Sequence, residues 1–186
     1  MIKLCIFDLD GTLVNTLHDL TNSLNFALSE CGFPTLSESR VAAIVGHSVN
    51  FMCEHAVPPE HKDQAEKVLE LYRAHYREHS LDLSRAYDGM IDAVQKIKNA
   101  GVTLAIASNK PHADAVKVVE TIYPKNTFSL VLGRMDKFAI KPAPDVLYFI
   151  MDYFGVTPEE CVYVGDSDVD VTFAHNAGMR CLSVNW

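Results

Sequence analysis

The chain has 186 residues, of which 48% are hydrophobic and 22% charged, and 24 acidic against 16 basic residues give a net charge of -8. This length and composition are typical of a globular protein with one full domain and room for a smaller second one. The acidic balance, without any basic block, argues against nucleic acid as a partner, and no apolar run reaches the ~18 residues that a membrane helix needs.

The cysteines predict a reducing compartment. All five are scattered along the chain, and no two form a CxxC pair. Such spacing indicates free thiols rather than a disulfide framework. The first apolar run begins at Ile2, which leaves no room for a signal peptide. We therefore expect a cytoplasmic protein with no membrane partner.

Short apolar runs recur along the chain at strand length. They are too apolar to alternate, which is typical of strands buried on both faces of a parallel sheet. Helical periodicity separates the later runs, and glycines at 101, 155 and 178 mark helix ends. The alternation predicts an α/β fold with a doubly wound, Rossmann-like parallel sheet. The runs are IKLCIF at 2–7, VTLAIAS at 102–108, FSLVLG at 128–133, ECVYVGD at 160–166 and RCLSVNW at 180–186.

A long interval without strand signals follows the first run. Leucines at 17, 20, 24 and 28 form one helical stripe, and Ala65 to Tyr76 carries another. A shorter helix is predicted around Val41 to Val45, and turn signals separate the three. We therefore predict a catalytic core formed by 1–15 and 88–186, with an all-helical module inserted at 16–87.

Polar residues follow the predicted strands at the points where each strand ends. In an open parallel sheet these points share one edge, and ligands bind there. Acids outnumber the single lysine in this set, so a divalent cation is the natural counterion. Mg²⁺ takes carboxylate oxygens together with substrate phosphates. The residues are Asp8, Asp10, Ser108, Asn109, Lys141, Asp166, Asp168 and Asp170.

Four segments in this order carry a family resemblance: FDLDGTLVNT at 7–16, ASN at 107–109, KPAPD at 141–145 and VGDSDVD at 164–170. They resemble the motifs of the haloacid dehalogenase superfamily, and within it the phosphatases similar to phosphoglycolate phosphatase. One departure is Asn15-Thr16, where many relatives have Asp-Ser. The resemblance implies a helical cap at 16–87 and hydrolysis of a phosphate ester through an aspartyl-phosphate.

The resemblance also implies roles for the motif residues. Asp8 is the expected nucleophile and Asp10 the expected general acid and base. Mg²⁺ is expected on Asp8, Asp166 and the backbone carbonyl of Asp10. The remaining residues are expected around the phosphoryl group or the substrate: Ser108 and Lys141 on phosphoryl oxygens, Asp170 orienting Lys141 or a metal-bound water, and Thr12, Asn109 and His47 as further substrate contacts.

Two alternatives stay open at this point. A sugar phosphomutase shares these motifs, and a non-catalytic binding protein could use the same scaffold. The expected partner is a small phosphorylated metabolite, either phosphoglycolate-like or a sugar phosphate. The last run, at 180–186, predicts an edge strand whose Leu182, Val184 and Trp186 are less buried than their composition suggests. We expect a monomer or a weak homodimer.

Overall fold

The computed structural model describes residues 1–186, which form two compact units: Met1–Val14 with Ala86–Trp186, and Asn15–Arg85. The strands are β1 Leu4–Phe7, β2 Val14–Asn15, β3 Arg85–Ala86, β4 Thr103–Pro111, β5 Leu130–Arg134, β6 Cys161–Gly165 and β7 Arg180–Ser183. The helices are α1 Leu17–Glu30, α2 Glu38–Ala42, α3 Val49–Ala56, α4 Ala65–His79, α5 Met90–Asn99, α6 His112–Ile122, α7 Asp145–Phe154 and α8 Asp168–Asn176. None of these helices combines the length and the apolar composition needed to cross a bilayer.

The first unit is built on a five-stranded sheet in the order β5-β4-β1-β6-β7. All the pairings are parallel, and β1 lies in the centre, with Leu4 opposite both Thr103 of β4 and Cys161 of β6. The predicted doubly wound parallel sheet is therefore confirmed. Because later strands are added on both sides of β1, the strand order changes direction there, and its carboxyl end is the natural ligand position.

The central strands are apolar throughout because both faces of the sheet are covered. Leu4 and Ile6 belong to a buried cluster with Leu147 and Ile150 of α7 and Phe173 of α8. Burial of one such side chain contributes roughly 1.5–3 kcal/mol. This packing holds the ends of β1 and β6 in place, and the polar residues that follow those ends form the candidate site.

Strand β7 lies at one edge of the sheet, as predicted. Leu182 is 59% exposed and Trp186 58% exposed, while Val184 is only partly buried. Trp186 nevertheless makes two contacts: its ring stacks on Tyr87 at 4.4 Å, and its Nε1–H donates to the carbonyl oxygen of Gly11 at 2.9 Å.

The second unit contains four helices and a short 3₁₀ segment at Pro59–Gln64. The predicted leucine stripe of α1 is buried against α4, where Leu24 and Leu28 share a cluster with Val68 and Tyr72. Helix α3 is an element that the sequence analysis did not predict. It begins after Ser48, whose Oγ accepts a hydrogen bond from the Phe51 amide at 3.1 Å.

Asp19 ties the first turn of α1 to the end of the same unit. Its side chain is buried, and it accepts hydrogen bonds from the amides of Leu83 and Ser84 at 3.0 and 2.8 Å. The Ser84 hydroxyl also donates to it at 2.6 Å. These bonds satisfy backbone groups that no helix or strand pairs, because both donors lie outside the regular elements.

We predict that Asp19→Ala lowers the free energy of unfolding by about 2–4 kcal/mol, because it removes a buried carboxylate that accepts hydrogen bonds from two backbone amides and one hydroxyl. Chemical denaturation followed by circular dichroism measures this change. Glu30→Ala, at the exposed end of the same helix, is the matched control and should be nearly neutral. Equal effects of the two substitutions would contradict the assignment.

Candidate active site

The first motif forms a tight turn directly after β1. The amides of Thr12, Leu13 and Val14 all donate to the carbonyl oxygen of Leu9, at 3.3, 3.0 and 3.0 Å. Gly11 has φ +85°, and a Cβ at this position would collide with the Asp166 carboxylate. Glycine is therefore required both for the backbone conformation and for the close approach of β6.

Asp8 is buried at the start of this turn, and its amide donates to the carbonyl oxygen of Val164 at 2.9 Å. The Nζ of Lys141 lies 2.8 Å from Asp8 Oδ1 and forms an ion pair with it. Burial raises the pKa of Asp8 to about 7, although the charge of Lys141 opposes the shift. The carboxylate is thus buried and held against a cation.

Lys141 is buried, and both its backbone and its ammonium group are fixed. Its amide donates to Asn109 Oδ1 at 3.0 Å, and the peptide bond to Pro142 is cis. Its Nζ donates to Asp170 Oδ1 at 2.9 Å and to the Tyr163 hydroxyl at 2.6 Å. Burial alone would lower the pKa of Lys141, but the Asp8 and Asp170 carboxylates raise it above its ordinary value. The group is therefore a fixed positive charge.

Asp170 lies in the first turn of α8, and hydrogen bonds occupy both of its oxygens. Oδ1 accepts from Lys141, while Oδ2 accepts from the Ser167 hydroxyl at 2.7 Å and from the amides of Ser167 and Asp166 at 3.2 and 3.3 Å. Burial would raise its pKa, but Lys141 and the Ser167 bonds lower it. This geometry supports the predicted role of orienting Lys141.

Three carboxylates could hold a metal ion here: oxygens of Asp8, Asp166 and Asp170 all lie within 4.8 Å of one another. Because the oxygens of Asp170 already accept several hydrogen bonds, Asp8 and Asp166 are the members best able to ligate. Asp8 fits this use, because burial raises its pKa and a bound cation would stabilise its charged form. Hard oxygen ligands of this kind suit a divalent cation such as Mg²⁺.

Asp166 lies at the edge of this group of three carboxylates, and the residue is exposed to solvent. Neighbouring protein atoms still remove enough water to raise its pKa, although the Thr12 hydroxyl opposes the shift by donating to Oδ1 at 2.6 Å. Thr12 itself is fully buried, and its amide donates to Leu9. Both donors of Thr12 are therefore used within the protein. Thr12 therefore holds Asp166 in place, and its predicted contact with the substrate stays a prediction.

The other predicted substrate contacts are found in different places. Ser108 is buried within β4, at the last position of the predicted run 102–108. The Asn109 side chain is directed to the backbone of Lys141, with Nδ2 at 3.5 Å from the carbonyl oxygen and Oδ1 accepting from the amide. His47 belongs to the second unit, where its ring packs on Phe51 at 4.3 Å. Its role in substrate binding stays a prediction.

Two residues of the site escaped the sequence analysis. The Nζ of Lys110 lies 2.9 and 3.1 Å from the two carboxylate oxygens of Asp10. Tyr163 lies in the apolar run of β6, and its hydroxyl accepts a hydrogen bond from Lys141 Nζ. The acceptors within reach of this hydroxyl are the carbonyl oxygen of Ala107 at 3.0 Å and Asp170 Oδ1 at 3.1 Å. The only sequence signal for Lys110 is its position directly after Ser108 and Asn109 at a strand end.

We predict that Asp8→Asn raises the melting temperature of the metal-free protein at pH 8 by several degrees. The pKa of Asp8 rises from its ordinary value of about 4 to about 7 on folding, even with Lys141 beside it. The folded state therefore disfavours the carboxylate, and this group's contribution to stability falls as the pH rises from about 4 to 7.

Thermal denaturation in excess chelator at pH 5 and pH 8 tests this expectation. The gain should be smaller at pH 5, where the folded wild type carries a protonated Asp8. Asp168→Asn, at an exposed carboxylate in the same motif, is the control. If the variant melts no higher than the wild type at pH 8, burial does not destabilise the charged form of Asp8.

Known proteins match this chain over almost its whole length. Residues 5–184 match the family model described as haloacid dehalogenase-like hydrolase. A phosphoglycolate phosphatase of Mannheimia succiniciproducens is 34% identical over 99% of this chain and 86% of its own length. One from Haemophilus influenzae is 33% identical, again over 99% and 86%.

Solved structures show the same fold. A predicted phosphoglycolate phosphatase from Haemophilus somnus superposes with a TM-score of 0.91 at 30% identity, covering 98% of this chain and 84% of that one. A protein from Lactobacillus delbrueckii subsp. bulgaricus, whose assignment as a phosphoglycolate phosphatase is itself a prediction, gives a TM-score of 0.93 at 29% identity, over 99% and 86%. These matches confirm the resemblance of the four motifs, and the chain belongs to the haloacid dehalogenase-like hydrolase family.

Proposed function

We propose that the protein is an Mg²⁺-dependent phosphatase that hydrolyses a small phosphorylated metabolite, phosphoglycolate-like or a sugar phosphate, through an aspartyl-phosphate. The observation that carries this proposal is the state of Asp8. It is a buried carboxylate with a raised pKa, its Oδ1 lies 2.8 Å from the fixed ammonium of Lys141, and carboxylate oxygens of Asp8 and Asp166 lie within 4.8 Å of each other. A carboxylate in this setting is suited to attack phosphorus and to hold a cation.

The chain supplies ligands for the metal at the edge of the sheet. Asp8, Asp166 and the backbone carbonyl of Asp10 would hold Mg²⁺, which when bound supplies positive charge that orients the phosphoryl group and offsets its charge. Thr12 holds Asp166 in place through its 2.6 Å hydrogen bond.

The reaction then proceeds on side chains of the chain itself. A carboxylate oxygen of Asp8 attacks phosphorus and forms the acyl phosphate, and Asp10 gives its proton to the leaving alkoxide. Asp10 next takes a proton from water, whose oxygen attacks phosphorus. The phosphorus–oxygen bond to Asp8 breaks, inorganic phosphate leaves, and both acids return to their starting states.

Lys141 and Ser108 bind the phosphoryl oxygens in this proposal. Charge accumulates on those oxygens during phosphoryl transfer, and a fixed cation stabilises it without reorganisation. Lys141 meets that requirement because Asp170, Tyr163 and Asn109 hold it from three sides. The names of the relatives support hydrolysis over phosphoryl transfer to a sugar, and no predicted catalytic acid is missing from the site.

We predict that phosphate release from a panel of phosphorylated hydroxycarboxylates and sugar phosphates requires Mg²⁺. Chelation should stop turnover, Mg²⁺ should restore it, and Ca²⁺ should not, because Ca²⁺ favours more ligands at longer distances.

Asp8→Asn should reduce kcat at least ~10³-fold, since it removes the nucleophile. Asp168→Asn is the matched control and should stay within about threefold of the wild type because it alters only an exposed carboxylate. Full activity in excess chelator would contradict the proposal, and so would an active Asp8→Asn enzyme that is free of deamidation.

We further propose that the helical unit Asn15–Arg85 governs substrate choice as a cap, with Gly46, His47 and Ser48 contacting the organic part of the substrate. Exchanging these three residues should change the relative kcat/KM values across the substrate panel and leave Mg²⁺ affinity within about twofold, because the metal ligands lie in the other unit. His61→Ala, at an exposed histidine of the same unit, is the control. Unchanged preferences would place specificity in the core unit.

A further inference from the structure

We propose that Lys110 is a positioning residue that holds the Asp10 carboxylate in place for proton transfer, an inference that rests on the proposed function. The sequence analysis assigned no role to Lys110. The structure places its ammonium group across both oxygens of Asp10, at 2.9 and 3.1 Å, over a separation of 100 residues.

The burial of this pair distinguishes it from an ordinary surface ion pair. The Lys110 side chain is 2% exposed and that of Asp10 is 14% exposed. A buried ammonium is strongly disfavoured without a partner, so burial and pairing must occur together. Exposed pairs contribute little because solvent screens them and both side chains stay mobile. Here the surrounding protein restricts both groups, which fixes the direction of the Asp10 carboxylate.

The path of β4 explains how Lys110 reaches this position. The strand runs to Pro111, and its pairing with β5 is irregular between Ala107 and Pro111. Successive residues of a strand point to opposite sides. Asn109 is accordingly directed to the backbone of Lys141, whereas Lys110 is directed to the side chain of Asp10. Two consecutive residues therefore hold the phosphoryl-binding cation and the proton-transferring acid.

The chemistry of Asp10 explains why such a support matters. General acid–base catalysis requires the proton to move over hydrogen-bond distance at both chemical steps. A carboxylate on a turn has rotational freedom, and small errors in position are costly in rate. Lys110 restricts that freedom from a strand that is anchored in the sheet. Its removal should slow the chemical steps with little change in substrate binding.

The test compares Lys110→Met and Lys110→Arg, each in the wild-type and the Asp10→Asn backgrounds, with Lys125→Met as an exposed control. Steady-state kinetics should show kcat lowered about 10–100-fold by Lys110→Met and KM within about threefold. Lys110→Arg should recover most of the loss, since it keeps the charge. In the Asp10→Asn background, Lys110→Met should cause no further loss, because the group that it positions is already gone.

Other outcomes overturn the proposal in distinguishable ways. A loss of the same size in the Asp10→Asn background, or a loss carried by KM, would mean that Lys110 contacts the substrate directly. A lower melting temperature with unchanged kcat would mean that Lys110 is only structural. Additive effects of Lys110→Met and Asp10→Asn on the melting temperature would show that the two side chains do not interact as an ion pair. This measurement does not depend on enzymatic activity. A wild type without phosphatase activity would overturn the proposed function, whereas an active wild type with additive kinetics would overturn only the role of Lys110.

Discussion

The buried ammonium of Lys141 between two carboxylates is the interaction on which the site depends. It lies 2.8 Å from Asp8 Oδ1 and 2.9 Å from Asp170 Oδ1. Two like charges ~4 Å apart repel by roughly 4 kcal/mol at an effective dielectric near 20, so the acids need a cation between them. Lys141 and Lys110 do not balance four carboxylates, and the raised pKa values of Asp8 and Asp166 reflect the remaining repulsion and burial. A bound divalent cation would offset that excess.

The parallel sheet makes this concentration of charge possible. β1 lies between β4 and β6, so residues at about positions 10, 110 and 166 meet at one edge although the chain separates them widely. Two glycines permit the final approach: a Cβ at Gly11 would collide with Asp166, and one at Gly165 would collide with Asp170. The apolar packing of the strands therefore fixes the positions of charged groups that would otherwise separate.

The sequence alone predicted the strands and helices that are marked by a local pattern of apolar residues. Continuous apolar runs predicted all five strands of the large sheet, and the leucine stripe predicted α1. The end of β4 was placed at Ser108, three residues too early, because Asn109 and Lys110 are polar and an apolarity criterion stops at such residues. Helix α3 was missed because few of its residues are buried, so no long stripe marks it. The contacts of Lys110 with Asp10 and of Thr12 with Asp166 were missed because the partners lie 100 and 154 residues apart in the chain, and only the folded chain brings them together.

The four carboxylates of the site have different surroundings, which suit the different roles that we propose for them. Asp170 accepts hydrogen bonds at both oxygens, and its lowered pKa is that of a stable, supporting anion. Asp10 is bound by one lysine and remains partly exposed, which suits the proton transfer that we propose for it. Asp166 lies at the rim with one oxygen held by Thr12. Asp8 is buried beside Lys141, and burial raises its pKa to about 7 in spite of that cation. A bound divalent cation would stabilise its charged form further, which suits the role of nucleophile that we propose for it.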